Sequence, residues 1–435
     1  MEKPNIILIV CDTLRKDILE IYGGPAKTPN LKKLAKDAMV YHNCIAPSPW
    51  TIPSHASIFT GLYPSSHMIH ETKESKSFML AESVKNFKGE QLQYYLKNLG
   101  YTTMCFSNNI MISRLTNFDL GFDFFTNIEV NLPIAKEIKS ALNLGANINQ
   151  IGISLIKQGR YKEILKYAKI YLEYKNMTKA IDYPFKKGGE ITSNLLFNTK
   201  FKPKLFLVIN FMELHEPYLN NSGKEKKYIF DALTGINGIN KGTVSKLKKH
   251  YILETQYLDE IIGQLIEMLK SRGLYENSMI IITSDHGQAF NEYNYMYHGI
   301  YLHDEIIKVP LIIKYPNNKK FKLKNGYQSL INIFPLIKEV LSEKDDRVLT
   351  TKSAISESFA NDKFLPESYK HRQSFVDKKY EKLRRAIYKN NFKLVFNYTD
   401  NKIEEITKSG KPINTQQNKF EIKSLLRYLK QMHKG

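Results

Sequence analysis

Thr51 lies in the run Trp50-Thr51-Ile52-Pro53-Ser54-His55, which reads as a loop entering a helix. Pro49 and Pro53 punctuate it, and Ala56, Ile58 and Phe59 carry it on to Thr60-Gly61. A hydroxyl at such a turn faces the free N–H groups of the helix start, where the helix dipole favours an oxyanion. That setting suits a nucleophilic alkoxide attacking a phosphate or sulfate ester. The competing reading is a plain threonine N-cap.

Other polar groups recur just past apolar strand-like runs. Asp12 follows Asn5 to Val10, and Asn108 follows Tyr101 to Phe106. His215 follows Leu205 to Asn210, and Asp285-His286-Gly287 follows Met279 to Thr283. In open parallel sheets, ligands bind beyond the carboxyl ends of the strands. Asp12 is therefore a candidate metal ligand. Adjacent Asp285 and His286 offer hard oxygen and imidazole nitrogen beside a glycine that lets the backbone bend. Asn108 donates to a bound oxyanion or merely makes a turn. A lone His215 is more often structural, but it shares its position with the others. His67 and His70 fall in a polar loop and read as solvated. Arg15 and Asp17 read as a local supporting pair.

The elements that must position these groups alternate in type. Continuous apolar runs at Asn5–Val10, Leu205–Asn210, Met279–Thr283 and Val309–Ile313 suit buried parallel strands. Helical spacing appears after Thr28-Pro29, over Lys85–Leu99 and over Tyr251–Lys270. The alternation implies an α/β domain with a large, mostly parallel sheet flanked by helices. Residues 127–200 read as a helical insert, with helical patterns over Ile151–Lys157 and Tyr161–Tyr174. Residues 219–245 are polar and Lys-rich and read as a mobile surface loop. Past about residue 345 the pattern changes to strands around an Asn390-Asn391 turn and a closing helix over Ile422–Met432. The expected division is a catalytic α/β domain over 1–345 and a small C-terminal α+β subdomain, an antiparallel sheet plus helix, over 346–435.

Composition narrows the classes. With 435 residues, 42% of them hydrophobic, the chain can bury a large core. Three cysteines (Cys11, Cys44, Cys105) without metal-type spacing argue against a disulfide framework and fit a reducing compartment. The first apolar run is too short for a signal peptide and none approaches a membrane span, so a cytoplasmic location is expected. The net charge of +21 is spread along the whole chain, and no nucleic-acid motif accompanies it.

Five pieces stand in order: Asp12 after the first strand, then T-x-P-S-H-A-S-x-F-T-G-L-Y-P from Thr51, F-M-E-L-H-E-P-Y from Phe211, S-D-H-G from Ser284, and D-E-x-x-K-V-P-L-I-I from Asp304. Together they resemble the sulfatase family of the alkaline-phosphatase superfamily over residues 4–316. The resemblance implies a metal-dependent hydrolase of sulfate or phosphate mono- or diesters. It also implies a divalent cation (Ca, Mg, Mn or Zn) held by Asp12, Thr51, Asp285 and His286. In that family the nucleophile position is Cys or Ser in C/S-x-P-x-R, matured to formylglycine. Here Thr51 stands in that place and His55 replaces the Arg, so no formylglycine is expected and phosphate chemistry gains weight. Thr is the nucleophile in related phosphodiesterases and phosphoethanolamine transferases.

By the same resemblance His215 and His298 bind substrate, and Asn108 and His298 occupy places where the family carries anion-binding lysines. A second cation held by His215, His298 and Glu213 would replace that lost charge. Thr51, His55, His215 and His298 then form the catalytic group, with a histidine such as His298 protonating the leaving group. The expected substrate is an anionic ester of a glycan, a lipid-linked sugar or a small metabolite. The alternatives are a phosphoryl-group transferase and an inactive sulfatase-like binding protein.

Overall fold

The fold is seen in a computed structural model that describes residues 3–72, 80–128, 187–218, 222–321 apart from 237 and 239, 326–342, 351–359 and 365–432 apart from 366 and 415. Most of the segment 127–200, including the helical patterns over 151–157 and 161–174, lies outside the described residues, as does the expected boundary near 345.

The strands run in chain order as β1 (Asn5–Cys11), β2 (Met39–Ile45), β3 (Thr102–Ser107), β4 (Phe124–Asn127), β5 (Leu205–Phe211), β6 (Ser278–Thr283), the short pair β7 (Ala289–Phe290) and β8 (Met296–Tyr297), β9 (Lys308–Lys314) and β10 (Gln328–Ser329). Eight of them form one sheet in the order β10-β2-β9-β6-β1-β5-β3-β4. Neighbours are parallel except around β9, which runs antiparallel to both β2 and β6. The expected mostly parallel sheet is therefore present.

Burial on both faces explains the unbroken apolar runs. In β1, Ile6, Leu8 and Val10 enter one core while Ile7, Ile9 and Cys11 enter the other. Strand pleating sends successive side chains to opposite faces, so a strand covered on both sides has no polar position to spare. The helices Thr51–Thr60, Leu92–Asn98 and Ile333–Leu341 cover the first face. Helix Lys241–Ser271 covers the second with Leu258, Ile261, Ile262, Leu265 and Leu269.

Two helical expectations are revised. The span Lys85–Leu99 is two helices, Ala81–Asn86 and Leu92–Asn98, interrupted around Lys88-Gly89. The stretch read as a loop contains helix Ser222–Thr234, because Phe230 and Leu233 pack into a core that its polar composition hides.

The C-terminal part forms a separate antiparallel sheet of β11 (Ser353–Ser358), β12 (Arg384–Lys389), β13 (Phe392–Asn397), β14 (Lys402–Lys408) and β15 (Lys411–Pro412). Asn390 and Asn391 have φ of 51° and 65°, the left-handed turn their side chains tolerate between β12 and β13. Ile422, Leu425 and Leu429 of helix Lys419–Met432 pack on Ile355, Ile387 and Leu394. Burying each such side chain is worth roughly 1.5–3 kcal/mol.

This sheet also braces the main one. The Glu357 N–H donates to the Pro47 carbonyl at 2.8 Å, and Ser358 Oγ donates to the Ile300 carbonyl at 2.8 Å. Both contacts hold loops at the carboxyl edge of the eight-stranded sheet.

Candidate active site

The carboxyl ends of β1, β2, β3, β5 and β6 point the same way, and the chain leaving each of them supplies a polar group. Ala46–Trp50 leads from β2 to Thr51, which is the first residue of helix Thr51–Thr60. Trp50 takes the N-cap position and makes no side-chain cap, so the plain-cap reading of Thr51 is set aside. The nearby Gly299 N–H donates to the Pro49 carbonyl at 3.0 Å, tying the loop of His298 to the loop of Thr51.

Thr51 Oγ1 lies 3.4 Å from Asp12 Oδ2 and 3.3 Å from His286 Nε2. Asp12, Asp285 and His286 converge with one ligating atom each within 4.8 Å of one another, all fully buried. Asp12 Oδ1 and Asp285 Oδ2 receive no hydrogen bond among the described residues. Burial pushes both carboxyls above their ordinary range, and Asp285 pushes Asp12 further by repulsion. Two buried carboxylates with unsatisfied oxygens are costly without a counter-charge, so the donor set fits a divalent cation.

The supporting contacts have the same character. His286 Nδ1 donates to the Gly287 carbonyl at 2.9 Å, which leaves Nε2 as the basic nitrogen toward Thr51 and Asp12. Ser54 Oγ donates to the Asp285 carbonyl at 2.6 Å, joining the Thr51 helix to the β6 loop. Thr13 stands beside Asp12 at a φ of +59°, a strained position for a β-branched residue.

His55 lies behind Thr51, turned into the scaffold. It is buried, its Nε2 accepts from Asn210 Nδ2 at 2.9 Å, and its Nδ1 donates to the Thr51 carbonyl at 3.0 Å. Nδ1 is also 3.5 Å from Asp285 Oδ2. Burial lowers its pKa, so it braces this corner as a neutral ring. Arg15 makes the expected pair with Asp17 at 2.7 Å and a second with Glu292 at 2.8 Å.

A second cluster lies alongside. His215, Glu216 and His298 bring ligating atoms within 4.8 Å of one another. The rings of His298 and His286 are 4.4 Å apart and those of His298 and His215 are 5.1 Å apart, so the two clusters share a wall. The carboxylate here is Glu216, which corrects the expectation of Glu213. The Glu213 side chain is buried and accepts from the Gly189 N–H at 2.6 Å, turned away to cap helix Gly189–Asn198.

Asn108 is also corrected. Its Nδ2 donates to the Lys187 carbonyl at 3.1 Å and its Oδ1 accepts from Thr192 Oγ1 at 2.7 Å, so both ends serve the scaffold. Its neighbour Asn109 reaches the site instead, donating to Asp12 Oδ2 at 2.5 Å. His67 and His70 are buried, not solvated. The Ile69 N–H donates to His67 Nδ1 at 2.9 Å, so His67 Nε2 carries the proton toward Ser57 Oγ at 3.0 Å, under helix Thr51–Thr60.

Four contributors were not read from the sequence. Asn109 and Glu216 each stand within three residues of the residue chosen in their place, and only the backbone path selects between them. Gln288 follows the Asp285-His286-Gly287 run and carried no motif of its own. Lys187 lies in the segment read as insert. Its ammonium donates to the carbonyls of Glu213 (2.9 Å) and His215 (2.5 Å) and to Glu254 Oε2 (2.9 Å), clamping the loop that bears His215 and Glu216.

A large, mostly parallel sheet with buried acids and histidines along its carboxyl edge, joined to a small antiparallel sheet, is an alkaline-phosphatase-like architecture. Residues 4–342 match the sulfatase family model, and the chain belongs to the sulfatase family. It is 21% identical to arylsulfatase K of Gallus gallus over 358 residues, 77% of this chain and 62% of that one. It is 24% identical to an arylsulfatase of Clostridium perfringens, covering 77% of this chain and 74% of the other. The chain thus spans under two thirds of the length of the chicken relative. Among solved structures it resembles a phosphonate monoester hydrolase of Agrobacterium radiobacter, with a TM-score of 0.66 at 16% identity, covering 99% of this chain and 95% of that one. None of the described helices is long and apolar enough to cross a membrane.

Proposed function

We propose that the protein hydrolyses anionic esters, phosphate mono- or diesters ahead of sulfate esters, with Thr51 as the nucleophile. The observation that carries this reading is the position of Thr51 Oγ1, buried at a helix start between Asp12 Oδ2 and His286 Nε2. Membership of the sulfatase family supports ester hydrolysis, and a threonine in the formylglycine position favours phosphate chemistry, because that maturation needs Cys or Ser.

Asp12, Thr51, Asp285 and His286 would hold one divalent cation, and His215, Glu216 and His298 a second. Bound there, such cations lower the pKa of a hydroxyl and neutralise charge on a substrate's non-bridging oxygens. The Thr51 proton passes toward Asp12 Oδ2, 3.4 Å away, while Asp12 Oδ1 and His286 Nε2 would face the cation. The alkoxide attacks in line, and the ester's leaving oxygen departs as the new ester to Thr51 forms. The free N–H groups at the start of helix Thr51–Thr60 favour the negative charge that builds on the transferred group. His215 and His298 face that charge from the outer cluster; where Nε2 of His298 holds no cation, the protonated ring supplies a proton to the leaving oxygen. Water then cleaves the Thr51 ester and restores the hydroxyl.

Hydrolysis of p-nitrophenyl sulfate, p-nitrophenyl phosphate and a bis-p-nitrophenyl phosphodiester by the metal-reconstituted protein tests this, with Thr51→Ala alongside. Phosphate or phosphodiester turnover that disappears in Thr51→Ala is the expected result. Turnover retained in Thr51→Ala contradicts the reading.

A further inference from the structure

Each histidine at the site has one ring nitrogen committed to a fixed acceptor. His286 Nδ1 donates to the Gly287 carbonyl and His215 Nδ1 to the Glu216 carbonyl, both at 2.9 Å. His55 Nδ1 donates to the Thr51 carbonyl. His298 differs, because its Nδ1 meets a side chain, Gln288 Oε1, at 2.6 Å. A backbone carbonyl can only accept. An amide side chain can present either end, so its own surroundings decide which nitrogen of His298 holds the proton.

Those surroundings leave one choice. Gln288 is fully buried, and its backbone is fixed at both ends. Its N–H donates to the Glu305 carbonyl at 3.0 Å, and its carbonyl accepts from Arg15 Nη1 at 3.1 Å. Its Nε2 lies 3.1 Å from Glu216 Oε2 and 3.1 Å from Tyr218 Oη. Tyr218 spends its proton on the Leu214 carbonyl at 2.8 Å, so its oxygen accepts from Gln288. Both groups at that end are acceptors. A flipped amide would set its oxygen against a carboxylate and a lone pair, leaving two buried polar contacts unsatisfied. The oxygen of Gln288 therefore faces His298, and Nδ1 is the protonated nitrogen.

We propose that Gln288 is a positioning residue that holds the His298 proton on Nδ1, presents Nε2 as its basic nitrogen, and couples that choice to Glu216 through the same amide. This deepens the proposed function, since it rests on His298 and Glu216 acting together. It gives His298 a definite order of events. In the neutral ring the Nδ1 proton is held by Gln288, so His298 donates to a leaving oxygen only after Nε2 has been protonated. Otherwise Nε2 is a ligand or acceptor.

Long-range ¹⁵N–¹H NMR of histidine-labelled, metal-free protein at about pH 8.5, above the ordinary His range, reads the tautomer directly. His298→Asn identifies the His298 signal by its loss. Wild type is expected to show His298 protonated on Nδ1. Gln288→Met, similar in shape but without the acceptor, is expected to give a mixture of tautomers, while Gln288→Glu keeps the acceptor and the Nδ1 proton. In a metal titration with Zn²⁺, Gln288→Met should weaken one of two binding events about 10- to 100-fold and spare the other. An Nε2 proton on His298 in wild type overturns the proposal even if Gln288→Met does not fold. So does an unchanged Nδ1 tautomer in folded Gln288→Met. The tautomer is read without substrate, so it stands or falls separately from ester turnover.

Discussion

The inner cluster of Asp12, Thr51, Asp285 and His286 and the outer cluster of His215, Glu216 and His298 lie wall to wall but are built differently. The inner groups leave the ends of β1, β2 and β6, and all are buried. Their positions are set by sheet register and by short contacts such as Ser54 to the Asp285 carbonyl. The outer groups stand on the turn after β5 and just after the short strand β8, with His215 and Glu216 partly exposed. They are held from outside by Lys187 on the His215 loop and by Gln288 between Glu216 and His298. Rigid strand ends suit the atoms that react. Adjustable loops held by replaceable side chains suit the recognition of charge on different substrates.

The largest expected effect is at the inner cluster. Thr51→Ala should lower kcat by about ten-thousandfold or more, the scale seen when a nucleophile is removed, with the circular dichroism spectrum unchanged. Losing less than tenfold would place the nucleophile elsewhere and erase the contrast between the clusters. Next, Glu216→Gln and Glu213→Gln should separate in a metal titration. Glu216→Gln removes a proposed ligand and should weaken the outer site by more than the roughly 10- to 100-fold typical of losing a group that only supports a ligand, and Glu213→Gln should leave it unchanged. The reverse order would restore the carboxylate expected from sequence.

How far the sequence reached follows the same division. Strand ends are legible because an unbroken apolar run marks a strand buried on both faces, and the first polar residue after it lies at the sheet edge. Asp12 and Asp285-His286 were read on that rule, and Thr51 from its Pro-flanked helix start. Loops carry no such ruler. In Phe211-Met212-Glu213-Leu214-His215-Glu216, two glutamates flank one histidine, and a turn in which the His215 N–H bonds the Met212 carbonyl decides which faces the site. Asn108 and Asn109 are adjacent and chemically identical, and backbone direction alone sends one to the scaffold and the other to Asp12. His67 and His70 looked solvated because a polar loop hides that His67 tucks beneath helix Thr51–Thr60 and His70 stacks on Phe359.

Two smaller effects sharpen the account of how each cluster is held. Lys187→Met leaves buried Glu254 without its cation and frees the carbonyls of Glu213 and His215. A loss of roughly 3 kcal/mol in urea unfolding is expected, with weaker metal binding at the outer site only. Unchanged stability and metal binding would show that the clamp is dispensable.

His67, beneath the inner helix, has its pKa lowered by burial to about 3, from an ordinary value of 6.5. Below pH 6.5 the unfolded chain takes up a proton there that the folded chain refuses. Stability is therefore complete above 6.5 and falls as pH drops toward 3, by about 1.4 kcal/mol per unit. His67→Gln should flatten that slope between pH 6 and about 4.5. An unaltered slope would mean that His67 is not held neutral.

The most direct test of the two-cluster account is the number of ions the chain holds at full activity. Elemental analysis after dialysis against Zn²⁺ or Mn²⁺, with ester turnover measured on the same samples, gives that number for wild type and for Glu216→Gln. The account predicts two ions in wild type, with activity rising as the second binds, and one in Glu216→Gln. A single ion per wild-type chain at full activity would contradict it.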